Sequence, residues 1–180
     1  INDPDIHAII SARGGYGSTR ILDAIDFSPF KQNPKWIIGF SDITAIHLKL
    51  LKHQIASIHG TMPILFSNSA SKSSVESLKA LLFSGEYRID ALPSSSNVTG
   101  QFTGIVTGGN LSLIVDLLGT ATEPDTTDKI LVLEEIDEYL YKIDRMMTQL
   151  RRAGKLSNLK SLIVGHMTNL KDSDLKYGEG

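Results

Sequence analysis

The sequence predicts an α/β protein with two parts: an N-terminal domain on a doubly wound, mostly parallel sheet, then a smaller C-terminal mixed α/β domain. Three observations carry this. Short apolar runs such as "AII" (8–10), "WII" (36–38) and "ILVL" (130–133) do not alternate with polar residues, as befits strands covered on both faces. Each run exits on glycine, serine or acid. Apolar residues at helical spacing follow, which is the strand–loop–helix order of a parallel sheet.

In chain order, "HAIISAR" (7–13) is a strand that enters the loop "GGYGS" (14–18), and Ile21, Leu22 and Ile25 mark the helix after it. "KWIIGF" (35–40) repeats the arrangement, with Ile43, Ile46, Leu50 and Leu51 on one face of the following helix. "IASIHG" (55–60) is a third short strand. A helix over 73–82 has Ser71 or Ser73 as cap and Val75, Leu78, Leu81 and Leu82 inward. "LPSSSNVTGQFTG" (92–104) changes character towards serine, glycine and β-branched residues. This sets the N-terminal domain at 1–95, a linker at 96–100 and the C-terminal domain at 101–180. Within the latter, "TGG" (107–109) reads as a glycine turn before a helix, and "KILVLEEI" (129–136) as a buried strand ending in acid. Residues 137–154 form a helix stopped by Gly154, with Leu140, Ile143, Met147 and Leu150 inward, and "LKSLIVGHMT" (159–168) is one more strand.

Composition bounds the function. The chain has 180 residues, 41% hydrophobic and 21% charged, enough for a core, and a formal net charge of -2 without charge blocks argues against a nucleic-acid partner. No apolar run has the length of a membrane span and no signal-peptide pattern opens the chain. With no cysteine there is no disulfide, thiol nucleophile or thiolate metal site, in keeping with a cytoplasmic protein. A start at Ile1 rather than Met reads as a piece of something longer.

Three strand ends carry polar groups. Ser41, in "GFSD" (39–42), sits at a strand-to-helix turn where a serine hydroxyl stands clear of the sheet and the Asp42 amide faces a developing oxyanion. Serine and aspartate also cap helices, and spacing alone favours the cap because the second glycine of a nucleophile elbow is missing. The glycines of "RGGYGS" (13–18) bring backbone amides close to an anion or form a plain tight turn; neither a P-loop nor a dinucleotide fingerprint is complete. Glu134 and Glu135 close the 129–136 strand, where a carboxylate either orients a histidine or precedes a helix N-terminus.

The segments "ARGGYGSTRIL", "WIIGFSDITAIH", "SIHGTMP", "TGGNLSLIVDLLGT", "ILVLEEIDE" and "YKIDRMMTQLRRAG", in this order, resemble the LD-carboxypeptidase family, which includes muramoyl-tetrapeptide carboxypeptidases and microcin C immunity peptidases. The resemblance implies that Ser41 is the nucleophile, that the amides of Gly15 and Asp42 form the oxyanion hole, and that Glu134 rather than Glu135 is the acid of a Ser-His-Glu triad. It implies cleavage between an L-centre and a terminal D-amino acid of a murein tetrapeptide in cytoplasmic cell-wall recycling, by a homodimer that uses neither metal nor organic cofactor. Arg13 and Glu138 are cleft candidates for the charged penultimate residue of such a substrate. Asp144 and Arg145 read as a structural pair.

The family histidine lies in a later segment, so the resemblance implies that it falls outside this chain, as does the opening strand and helix. His7 reads as surface or strand edge, His47 and His53 as solvated or half-buried. His59 reads as a cleft residue away from the base position, and His166 lies upstream of that position. Two rivals stand beside the main reading: a microcin C immunity-type hydrolase of aminoacyl-adenylate-like amides, and a non-catalytic module that holds an anion or peptide carboxylate.

Overall fold

A computed structural model describes residues 1–85 and 88–172. The last residues of the expected C-terminal domain, 173–180, lie outside the described residues. The first half contains β1 (Ala8–Ile10), α1 (Ser18–Ile21), β2 (Trp36–Gly39), α2 (Thr44–Lys52), β3 (Ile58–His59) and α3 (Lys72–Ser84). The second contains β4 (Val106–Asn110), α4 (Leu111–Asp116), β5 (Ile130–Ile136), α5 (Leu140–Arg152) and β6 (Ser161–Thr168).

Among the described residues, two three-stranded sheets result, ordered β1-β2-β3 and β4-β5-β6, and every pairing between their strands is parallel. This is the parallel-strand α/β class read from the sequence, with β2 and β5 the buried central strands and β6 exposed along most of its length. The strands run the same way within each sheet; Ser41 lies just past the C-terminal end of β2, and Glu134 lies within β5 near its C-terminal end.

One core joins the two halves. Leu22, Phe27, Phe30, Ile37, Leu48 and Leu50 pack in one cluster with Leu111, Ile114, Leu131, Leu133 and Leu150. Helix α2 packs against β4 and α4, so it stands between the two sheets. A smaller cluster of Ile38, Ile58 and Leu78, with Leu81 and Leu82 against it, seats α3 on the outer face of the first sheet. Burying each such side chain is worth about 1.5–3 kcal/mol, which makes α2 the keystone of the assembly. The segment 88–105 between the halves contains neither helix nor strand.

Two elements differ from the sequence reading. The helix expected through Ile25 is the single turn α1 followed by a 3-10 turn at Leu22–Ala24; Ile25 turns extended, and the chain then buries Phe27 and Phe30. The expected glycine turn "TGG" is inside β4. Gly108 and Gly109 take φ of 118° and 130°, and a side chain at Gly108 would place its Cβ 2.0 Å from the Val132 carbonyl oxygen. Glycine is required there by close approach of the neighbouring strand, not by a turn.

Candidate active site

Strand β2 ends at Gly39, and the chain turns sharply through Phe40 and Ser41 into α2. Ser41 has φ 60°, a conformation that costs an L-residue energy and is held only where the surroundings enforce it. Its side chain caps nothing: neither the 3-10 turn Ser41–Ile43 nor α2 has a side-chain cap. Asp42 does not cap its own helix either. Its buried carboxylate turns away, and Oδ2 accepts hydrogen bonds from the amide of Ser18 at 3.0 Å and from its hydroxyl at 2.7 Å. The local residue types left nucleophile and cap open; the geometry removes the cap.

The glycine loop lies directly on this turn. A Cβ at Gly14 would stand 3.1 Å from Cβ and 3.2 Å from Oγ of Ser41, whereas one at Gly15 would meet nothing within 4 Å. The loop is therefore packed on the serine at one residue and open to a ligand at the next.

His47 braces the turn from beneath. It is buried, contrary to the solvated or half-buried role read from the sequence, because α2 is covered on both sides. Nε2 lies 2.9 Å from the Gly39 carbonyl, which can only accept, so Nε2 carries the proton and Nδ1 accepts from the Ser57 hydroxyl at 2.8 Å. Burial lowers its pKa, opposed by the Gly39 carbonyl. His59 pairs with Gly39 in register, and its ring neighbours those of Phe40 and His47, with centroids 6.2 and 6.1 Å away. It keeps an exposed surface, yet desolvation by the surrounding protein, helped by His47, brings its pKa down to about 4.

On the second sheet, Asn110 at the end of β4 is in register with Glu134 on β5. Opposite Glu134 the register of β6 shifts: Leu133 pairs with Val164 and Glu135 with Met167, so Gly165 and His166 face the one residue Glu134. Such a bulge re-aims a side chain. The adjacent acids part as strand alternation demands. Glu135 is buried and saturated, accepting from Asn110 Nδ2 at 2.8 Å, from the Ser112 amide at 2.9 Å and from the Ser112 hydroxyl. Glu134 is half-buried, and its Oε1 is buried without a hydrogen-bond partner. Desolvation first and the Glu135 charge second push its pKa up to about 7, with Asn110 acting the other way. Such a carboxylate is poised to take a cationic or N–H partner.

The two strand ends are joined by the Asn110 amide, which donates to Thr44 Oγ1 at 3.0 Å. Thr44, Ser18, Asn110 and Ser112 escaped the sequence reading, although an asparagine opening an apolar helical run, as Asn110 does for α4, is a cap signal. Other candidates fall elsewhere. Arg13 is exposed and donates to the Gly14 carbonyl, and Glu138 pairs with Lys142 at 3.2 Å. Arg145 stands over the Tyr141 ring at 5.3 Å instead of pairing with Asp144, because neighbours in sequence diverge on a helix. His7 and His166 are exposed and His53 is half-buried. Among the described residues no group of three or more His, Asp or Glu is arranged to hold a metal ion, and no helix is long and apolar enough to cross a membrane.

Comparison with known proteins gives the family of the chain. The LD-carboxypeptidase N-terminal domain model matches residues 1–60 and the C-terminal domain model residues 103–179. The chain is 37% identical over 170 residues to a "probable murein peptide carboxypeptidase" of Bacillus subtilis strain 168, covering 90% of this chain and 52% of that protein. It is 30% identical over 187 residues to the murein tetrapeptide carboxypeptidase of Pseudomonas aeruginosa, covering 97% and 60%. The crystal structure of muramoyltetrapeptide carboxypeptidase from Oxalobacter formigenes superimposes with a TM-score of 0.87 at 33% identity, over 96% of this chain and 59% of that one. The chain thus spans little more than half the length of these relatives, and it carries both domain signatures in order. It belongs to the LD-carboxypeptidase family.

Proposed function

We propose that this chain is the nucleophile- and acid-bearing part of a serine LD-carboxypeptidase that removes the terminal D-alanine from murein tetrapeptide in cell-wall recycling. The observation that carries the reading is the Ser41 turn, with its positive φ, a side chain that caps nothing and a glycine loop packed against it. The names of the similar proteins from Bacillus subtilis, Pseudomonas aeruginosa and Oxalobacter formigenes support the substrate class.

In this mechanism a histidine removes the Ser41 proton as Oγ attacks the carbonyl carbon of the scissile amide. The amides of Gly15 and Asp42 donate to the oxyanion. As the C–N bond breaks, the histidine passes its proton to the leaving D-alanine nitrogen, and an ester to Ser41 remains. Water, deprotonated by the same histidine, then hydrolyses that ester and returns the serine. Glu134 orients the histidine and stabilises its charged form; its partnerless Oε1 and raised pKa are what such a partner would relieve.

On the family resemblance the base is assigned to a histidine outside this chain, which spans little more than half the length of its relatives. The division of labour is Ser41 in 1–95 and Glu134 in 101–180, and the working form is a cytoplasmic homodimer. The test is release of D-alanine from L-Ala-D-Glu-meso-diaminopimelate-D-Ala by the full-length protein beside Ser41→Ala. Turnover abolished by the substitution supports the reading. Absence of turnover, with cleavage of an aminoacyl-sulfamoyl nucleoside instead, would transfer the chain to the immunity-type activity.

A further inference from the structure

Asp42 enters the proposed chemistry through its amide, and its carboxylate has a second, separate task. We propose that the Asp42 side chain is a positioning residue that sets the spacing between the two donors of the oxyanion hole; this rests on the serine-hydrolase reading given above. One donor, the Asp42 amide, is fixed in the turn after β2. The other, Gly15, is in a loop whose glycines leave its path undetermined by their own backbone preferences.

The loop is fastened at both ends. Before it, the Ser11 amide donates to the Ile38 carbonyl at 2.9 Å and the Ala12 carbonyl accepts from Ile64 at 3.1 Å. After it comes Gly17 with φ 119°, then Ser18, buried, with both its amide and its hydroxyl donated to the same Asp42 oxygen. The contact crosses 24 residues of sequence and connects the exit of the glycine loop to the residue after the nucleophile. A carboxylate that accepts two donors at 3.0 and 2.7 Å fixes a position more tightly than a neutral acceptor. Displacing Ser18 would let Gly15 swing from the Asp42 amide while Ser41 stayed in place. The loss then falls on the transition state, where the oxyanion forms, rather than on substrate binding.

The experiment uses the full-length protein with the murein tetrapeptide as substrate, comparing D42A, D42N, S18A and the D42A/S18A double variant. For D42A, kcat falls on the order of 10²-fold, the loss typical of one oxyanion donor. KM changes little, and affinity for a phosphinate analogue of the tetrahedral intermediate falls in step with kcat. D42N, which keeps shape but weakens the tie, loses less, and S18A, which keeps the amide donor, least. The double variant is no worse than D42A alone, because both act through one contact.

Unchanged kcat and phosphinate affinity in folded variants, or losses that add in the double variant, would overturn the positioning role while leaving Ser41 as nucleophile. If D42A does not fold, D42N and S18A carry the same test through kcat and phosphinate affinity. An inactive wild type overturns the serine-hydrolase reading, and this inference with it.

Discussion

The backbone amide of Asn110 donates to the hydroxyl of Thr44 at 3.0 Å, and this hydrogen bond ties the strand end beside Glu134 to the helix that follows Ser41. Thr44 is fully buried, so water cannot replace the acceptor. Thr44→Val keeps the shape and orphans the Asn110 N–H, at a cost of about 1–3 kcal/mol. Urea denaturation checks this, and Thr44→Ser, which retains the acceptor, should lose clearly less.

Gly109 guards the same junction. With φ 130°, a Cβ there would stand 2.7 Å from Thr44 Oγ1, 2.9 Å from its Cγ2 and 3.2 Å from His59 Nδ1. Gly109→Ala therefore combines backbone strain with overpacking, and thermal unfolding should report roughly 2–5 kcal/mol of lost stability. A neutral result would mean that β4 does not sit against α2 in this way.

The adjacent acids separate by assay. Glu134→Gln should lower kcat on the order of 10²–10⁴-fold, the scale of losing the residue that orients a catalytic histidine, while stability holds. Glu135→Ala strips the acceptor from Ser112 and Asn110 and should instead cost about 3 kcal/mol of stability. Steady-state kinetics beside denaturation on both variants checks the assignment; exchanged phenotypes would move the acid to Glu135.

His59 gives a pH signature. Its folded pKa of about 4 lies below the ordinary 6.5, so the unfolded chain binds the proton first as pH falls. The stability contributed by neutral His59 is complete above pH 6.5 and is lost progressively as pH drops towards 4. His59→Gln should flatten that part of the stability profile. His47, lowered in the same direction, keeps some of the slope. An imidazole titration by NMR with His59 protonating near 6.5 would contradict this desolvation.

Strands β1, β2 and β5 were legible in the sequence as uninterrupted apolar runs, although only β2 is buried along nearly its whole length, while β1 is largely exposed and β5 alternates between buried and half-buried residues. β4 was not, since Gly108 and Gly109 answer to Val132, Thr44 and His59, residues far along the chain. The role of Ser41 was open for the same reason. Asp42 could have capped its own helix, and only its bond to Ser18 shows that it does not. The choice of Glu134 over Glu135 rested on resemblance and on alternation; the saturation of Glu135 and the partnerless Oε1 of Glu134 are tertiary facts.

The most direct measurement is rapid quench of the full-length protein with the murein tetrapeptide, followed by mass spectrometry of its proteolytic peptides. A tripeptide acyl group is expected on the peptide containing Ser41, formed with release of D-alanine and absent in Ser41→Ala. Continued D-alanine release by Ser41→Ala, or an acyl group on another residue, would contradict Ser41 as the nucleophile.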